Sequence, residues 1–191
     1  MHIDEQVASW ADPIDQLHVV RIKDFPSTHM ITSTSGQMLG YGRVAYIAFR
    51  RHGTIYSDAA RTTPLVTWQA DYPFTAANGF TVTNTDGVVL GTLSKTAAKT
   101  FRSARLQLKT PGVDAVGHDG AFVPAFAKQP SPVSFVYRLS GGVEVLRVER
   151  GWGAGDPLLV TCPSFKGERL DWRLAAAVAI VMDITLNRSP L

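Results

Sequence analysis

Asp183 is the residue whose chemistry most needs an explanation. It ends the run Leu174-Ala-Ala-Ala-Val-Ala-Ile-Val-Met-Asp183, which is otherwise apolar. An unpaired carboxylate among apolar side chains is too costly to persist. Asp183 must therefore meet an arginine, a water or backbone donors, and its role reads as structural rather than catalytic. A second cluster is basic: Lys95, Lys99, Arg102, Arg105 and Lys109 occur with no acid between Asp86 and Asp114. Such a run suits an anionic partner, a lipid headgroup surface for example, where each Lys or Arg contributes about 1 kcal/mol. It suits equally the charged edge of a solvated strand. The spacing would align all five on one helix face, but a strand from Ser103 puts Arg105 and Lys109 together without Arg102.

Other reactive residue types form no constellation. His2, His18, His29, His52 and His118 show neither H-E-x-x-H nor paired spacing, and each reads as a surface or capping histidine, His118-Asp119 in a turn. Gly151-Trp-Gly-Ala-Gly155 is followed by Asp156-Pro157, with no helix start to complete a phosphate loop. There is no Gly-x-Ser-x-Gly elbow. Cys162 is the one cysteine, which excludes an internal disulfide framework and a cysteine-based zinc site; it reads as a small core or strand-end residue. Trp10, Trp68, Trp152 and Trp172 read as core residues. No catalytic residue, metal site or cofactor is expected.

Composition narrows the class. The 191 residues are 45% apolar and 18% charged, enough to fill one sizeable core and too apolar for long disordered tails. The net charge of +3 sits in the middle: −1 over residues 1–60, +4 over 61–110, and 0 over 111–191. The N-terminus lacks the basic and apolar regions of a signal peptide. The longest apolar run, Leu174 to Met182, falls short of the roughly 20 residues that span a bilayer. A cytoplasmic protein without a transmembrane segment is expected, in peripheral contact with a membrane if the basic run works, and no nucleic-acid partner is expected.

The elements that must position these groups are mainly strands. Met30–Thr34 with Gln37–Phe49, Phe80–Asn84 with Val88–Leu93, and Val133–Leu139 with Val143–Val148 read as hairpins around Ser-Gly, Asp-Gly and Gly-Gly turns. In the third, Val143, Val145 and Leu146 break the alternation, which points to a bulge or two-sided burial. Thr62–Trp68, Ser103–Lys109, Ala121–Phe126 and Leu158–Thr161 are further strand candidates, and Asp4–Trp10 suits a short helix. Ile31-Thr-Ser-Thr-Ser-Gly-Gln-Met-Leu-Gly40 aligns without gaps on Val82-Thr-Asn-Thr-Asp-Gly-Val-Val-Leu-Gly91. Their second glycine is not demanded by the turn, so the unit reads as duplicated.

Residues 171–187 break the strand pattern. Asp171 suits an N-cap, four alanines favour helix, and Asn187, Arg188 and Pro190 supply stop signals. A helix apolar on every face must be surrounded. The alanines keep it thin, which suits a helix enclosed by a barrel, although a helix on one sheet with its other side in a dimer is the alternative. The expected architecture is one mainly β domain over residues 1–191, a closed antiparallel barrel around a hydrophobic C-terminal helix.

Ser35-Gly36…Leu39-Gly40, Asp86-Gly87…Leu90-Gly91 and the Leu174–Asp183 helix give the chain a resemblance to the tubby C-terminal-like superfamily, which includes the phospholipid scramblases and LURP-one-related proteins. It runs from about Asp24 to Leu186. It implies about twelve strands around the helix. Tubby-like members bind phosphoinositide headgroups through basic residues on the barrel, though no motif here pins those positions. Scramblases carry an acidic calcium-binding segment before the helix and a cysteine-rich acylated stretch. Thr161-Cys-Pro-Ser-Phe-Lys-Gly167 has neither. The expected function is a non-enzymatic binding or scaffold module for anionic lipid or a protein partner. A small-ligand barrel of the lipocalin type and an enzyme with an unrecognised site are the alternatives.

Overall fold

A computed structural model of the chain describes residues 14–23, 26–47, 50–70, 79–95, 106–111, 113–119, 133–150 and 156–186. Among these lie twelve strands and one helix: β1 (Gln16–Lys23), β2 (Ser27–Ser33), β3 (Met38–Ile47), β4 (Arg50–Tyr56), β5 (Pro64–Ala70), β6 (Gly79–Asn84), β7 (Val89–Lys95), β8 (Leu106–Thr110), β9 (Val113–Asp119), β10 (Val133–Arg138), β11 (Glu144–Arg150), β12 (Leu158–Thr161) and α1 (Trp172–Leu186). Each strand pairs antiparallel with its neighbours in sequence, and β1 pairs with β12 to close the barrel. Closure removes the exposed sheet edges that would otherwise invite pairing with other chains.

The alternation of each strand fixes which side fills the interior. Leu17 and Val19 on β1, Val66 and Trp68 on β5, and Leu158 and Val160 on β12 are buried. Arg43, Thr67, Gln69 and Lys109 on the outer side are exposed. β1, β4 and β9 have no counterpart among the strands expected from sequence. On β9 Ala115 and Gly117 are buried, small residues that make the apolar alternation faint. His118 and Asp119 accordingly lie in a strand, opposite Val136 and Phe135, and not in the expected turn. On β4, Gly53 stands where the Trp68 indole lies against it, so the centre of that strand carries no apolar side chain of its own. The expected helix at Asp4–Trp10 and strand at Ala121–Phe126 fall outside the described residues.

Three hairpins share one design. Ser33, Asn84 and Leu139 each donate an N–H to the residue four places on, and accept one from Gly36, Gly87 and Gly142. Those glycines have φ of 86°, 80° and 80°, a region L side chains resist. Just beyond each turn the register slips by one residue, at Ile31/Thr32, Val82/Thr83 and Tyr137/Arg138. Leu39, Leu90 and Val145 are the extra residues. The repeated Leu-Gly is therefore a β-bulge, and the broken alternation at Val145-Leu146, both buried, is the third copy. These hairpins are β2–β3, β6–β7 and β10–β11, so the bulge recurs every four strands round the wall.

The same end of the barrel receives α1. Asp171 caps it, its Oδ1 accepting the Arg173 N–H at 2.8 Å and its carbonyl the Ala175 N–H at 3.0 Å. Ala175 through Ile180 have no exposed surface. The helix touches β1, β2, β4, β5, β7 and β12, Gly42 of β3 lies against Ile180, and Tyr137 of β10 donates to Met182 Sδ at 3.8 Å. Contacts on strands all round the wall mean that α1 is enclosed and not packed on one sheet. Its 15 residues span about 22 Å, close to the length of a seven-residue strand at about 3.3 Å per residue.

Candidate functional site

Asp183 lies near the far end of α1, and three strands reach it. Arg21 ends the inward series Leu17, Val19, Arg21 on β1, His29 begins the inward series with Ile31 on β2, and Arg150 ends β11 beyond buried Val148. Arg21 and His29 stand directly opposite in the β1–β2 register. Arg21 donates from Nε at 2.8 Å and holds its Nη2 2.7 Å from Asp183 Oδ2. The His29 Nε2 is 2.9 Å from the same oxygen, and the Arg150 Nη1 is 3.6 Å from Oδ1. Arg21 Nη2 also donates to the Asp183 carbonyl at 3.1 Å.

The electrostatics follow from these distances. Burial alone would raise the Asp183 pKa, but the His29 hydrogen bond and the Arg21 charge outweigh it and hold the carboxyl below its ordinary value. The carboxylate is ionised and satisfied, as the sequence required. His29 is fully buried and not a surface or capping residue, because its strand position points inward at the carboxylate. Its Nδ1 has no hydrogen-bond partner among the described residues.

Sequence reasoning missed Arg21, His29 and Arg150. The signal that would have found them is positional: a charged or ring-nitrogen side chain in phase with buried aliphatics at the end of a strand must meet something polar inside.

The basic run is only partly placed. Lys95 closes β7 opposite Leu106, and Lys109 lies three rungs further along β8, opposite Thr92. At about 3.3 Å per residue their backbones are about 10 Å apart along the wall. Lys109 is exposed on the outer face and stands beside Asp114 in the β8–β9 register. Lys99, Arg102 and Arg105 fall outside the described residues, as do Gly151–Gly155, Trp10, Trp152 and His2.

The remaining candidates are accounted for by the fold. Cys162 is buried just past β12, its N–H donating to the Asp15 carbonyl at 2.7 Å. Burial, then the Asp15 charge, push its thiol up to about 12, away from the thiolate form that reacts. Trp68 and Trp172 are core residues. Among the described residues no group of three or more His, Cys, Asp or Glu is placed to hold a metal ion, and no helix is long and apolar enough to cross a membrane.

No family model and no curated protein matches the chain. Its fold is similar to the crystal structure of a protein from Arabidopsis thaliana, with a TM-score of 0.51, 16% identity, and coverage of 94% of this chain and 95% of that one. A porin-like protein from Bacteroides uniformis aligns over 78% of this chain and 94% of its own, at 11% identity and a TM-score of 0.25. The Arabidopsis likeness is one of fold.

Proposed function

We propose that this protein is a non-enzymatic binding module of the tubby C-terminal-like kind, akin to the LURP-one-related proteins and phospholipid scramblases. It engages an anionic lipid surface through Lys95, Lys99, Arg102, Arg105 and Lys109. The observation that carries this reading is the filled interior. Leu174 through Ile180 occupy the space that a lipocalin-type barrel keeps for its ligand, so recognition is left to the outer wall and the connections between strands. The strongest charge bias in the sequence runs from Lys95 to Lys109, and Lys109 is exposed on the outer face of β8. Apart from the groups around Asp183, inward positions are mainly apolar, and outward ones such as Arg43, Gln69 and Lys109 are polar, the reverse of a barrel that crosses a membrane. A cytoplasmic protein held at a membrane face by charge fits both features.

Flotation with phosphatidylserine-containing and purely neutral vesicles tests the reading. Binding should require the anionic lipid, weaken steeply between about 50 and 300 mM salt as screening shortens, and vanish when the five basic residues are replaced by Gln. Equal recovery with neutral vesicles, or no recovery at low salt, removes the lipid and leaves a protein partner as the occupant.

A further inference from the structure

The outer wall of the barrel is not uniform. On β5 to β8 its outward positions are polar, Thr67, Gln69, Thr83, Thr92 and Lys109 among them. On β1 to β4 a ladder of apolar and aromatic side chains crosses it: Val20, Met30, Tyr41 and Tyr56 stand side by side in register. Each is half-buried and alternates with a buried inward residue, Val19, Ile31, Gly42 or Ile55. Ile22, the next outward place beyond Val20, is 53% exposed, and Leu159 of β12 extends the face on the other side of β1. The described strands form the wall and α1 fills it, so none of them covers this face. A contiguous apolar surface of this kind marks a place where something packs.

Charge narrows the occupant. β1 to β4 contain no Asp or Glu, and Lys23 and Arg43 are exposed on them. A second copy meeting this face with its own would bring like charges together. The occupant must be apolar and acidic. Residues 1–13, outside the described residues, have that chemistry: Asp4, Glu5 and Asp12 with no Lys or Arg, and Ile3, Val7 and Trp10 as apolar groups. They lead into Ile14 and β1. Fully extended they reach about 43 Å, whereas Val20 lies about 20 Å along the strand from Ile14. The tether gives them an effective concentration on the order of millimolar, so a contact too weak to hold separate chains suffices. We infer that residues 1–13 dock on the outer face of β1–β4, covering Val20, Met30, Tyr41 and Tyr56 with their acids towards Lys23 and Arg43. β2 and β8 lie opposite each other in the ring of twelve. The covered face and Lys109 are therefore on different sides of the barrel, and the inference stands without the lipid reading.

A nitroxide on Ser9→Cys tests this by NMR in the full-length chain, where Cys162 is buried and the introduced thiol alone takes the label. The label should attenuate the Met30 methyl and the Tyr41 and Tyr56 ring signals at least threefold more than the Thr83 and Thr92 methyls on the far wall. Ala8→Cys serves with the same readouts if Ser9→Cys does not fold. Attenuation should fall at least twofold when salt rises from about 50 to 500 mM, and likewise when Asp4→Asn, Glu5→Gln and Asp12→Asn are combined. Equal attenuation on both walls, none on either, or no response to salt and to the neutralised acids overturns the inference. Attenuation that appears in isotope-labelled chains mixed with nitroxide-bearing ones makes a second copy the occupant and overturns it. Loss of the Met30 and Tyr41 signals on adding phosphatidylserine vesicles, with no attenuation by the nitroxide, assigns the face to lipid and overturns it too.

Discussion

Arg21 and His29 face each other across the β1–β2 pair and converge on one oxygen, Oδ2 of Asp183. Groups that share a partner do not contribute independently. Removing either should leave the other to hold the carboxylate, so Arg21→Gln and His29→Gln should each cost less than the double variant demands by simple addition. A double-mutant cycle in urea should return a coupling of about 0.5–3 kcal/mol. Strict additivity would mean that the two contacts act separately.

Acid should loosen the fold through Asp183. Its folded pKa lies below the ordinary value of 3.8, so the folded state binds protons less readily than the unfolded chain there. The stability from the ionised carboxylate is complete above the ordinary value and is lost as pH falls through the folded one. Asp183→Asn should therefore flatten the loss of stability below about pH 4. Glu144, lowered by its hydrogen bond and charge contact with Arg147, keeps a smaller slope. Urea midpoints from about pH 5 down to pH 2.5 decide the matter, and identical slopes in variant and parent rule the assignment out.

Two glycines four residues apart should respond differently to alanine. Gly87 sits at φ 80° with nothing within 4 Å of a built Cβ, so Gly87→Ala should cost about 1–2 kcal/mol, from backbone conformation alone. At Gly91 the Cβ would stand 2.7 Å from Leu174 Cδ2 and 2.9 Å from the Lys109 carbonyl oxygen. That oxygen belongs to the wall and cannot swing aside. Gly91→Ala should cost about 1–3 kcal/mol by overpacking, and so should Ala177→Leu at a fully enclosed helix position. Gly91→Ala is rescued in part by Leu174→Ala, whereas Gly87→Ala is not. Thermal midpoints of the single and paired variants test both statements, and a neutral Ala177→Leu would argue against enclosure.

Cys162 should be silent in the folded protein. With a pKa of about 12, only about one thiol in ten thousand is ionised near pH 8, and the thiolate is the reactive form. An aromatic disulfide reagent at that pH should label it only after unfolding in urea. Prompt stoichiometric labelling of the native chain would show an open path to the thiol.

The enclosed helix was legible in the sequence because burial leaves a pattern that only a few environments satisfy. From Leu174 to Met182 there is no polar position, and the run is too short for lipid, so a protein wall was the remaining surrounding. Hairpins with Ser-Gly, Asp-Gly and Gly-Gly were legible because positive φ selects glycine. β9 was not, since Ala115 and Gly117 satisfy the interior without an apolar signature. Asp183 was readable as a buried acid, but its partners were not. Arg21, His29 and Arg150 come from distant parts of the chain and meet only when β2, β1, β12 and β11 lie side by side.

Threading has a consequence for biosynthesis. All twelve strands precede α1 in the chain, so the wall is synthesised before the segment that fills it. During translation the nascent strands hold an apolar lining with nothing inside, a state prone to aggregation. Final closure waits for α1, which follows every strand and is the mandrel on which the sheet is rolled. Chains cut short before Trp172 would carry a full set of strands with nothing to wrap, and quality-control machinery would find them by the greasy surface they leave open.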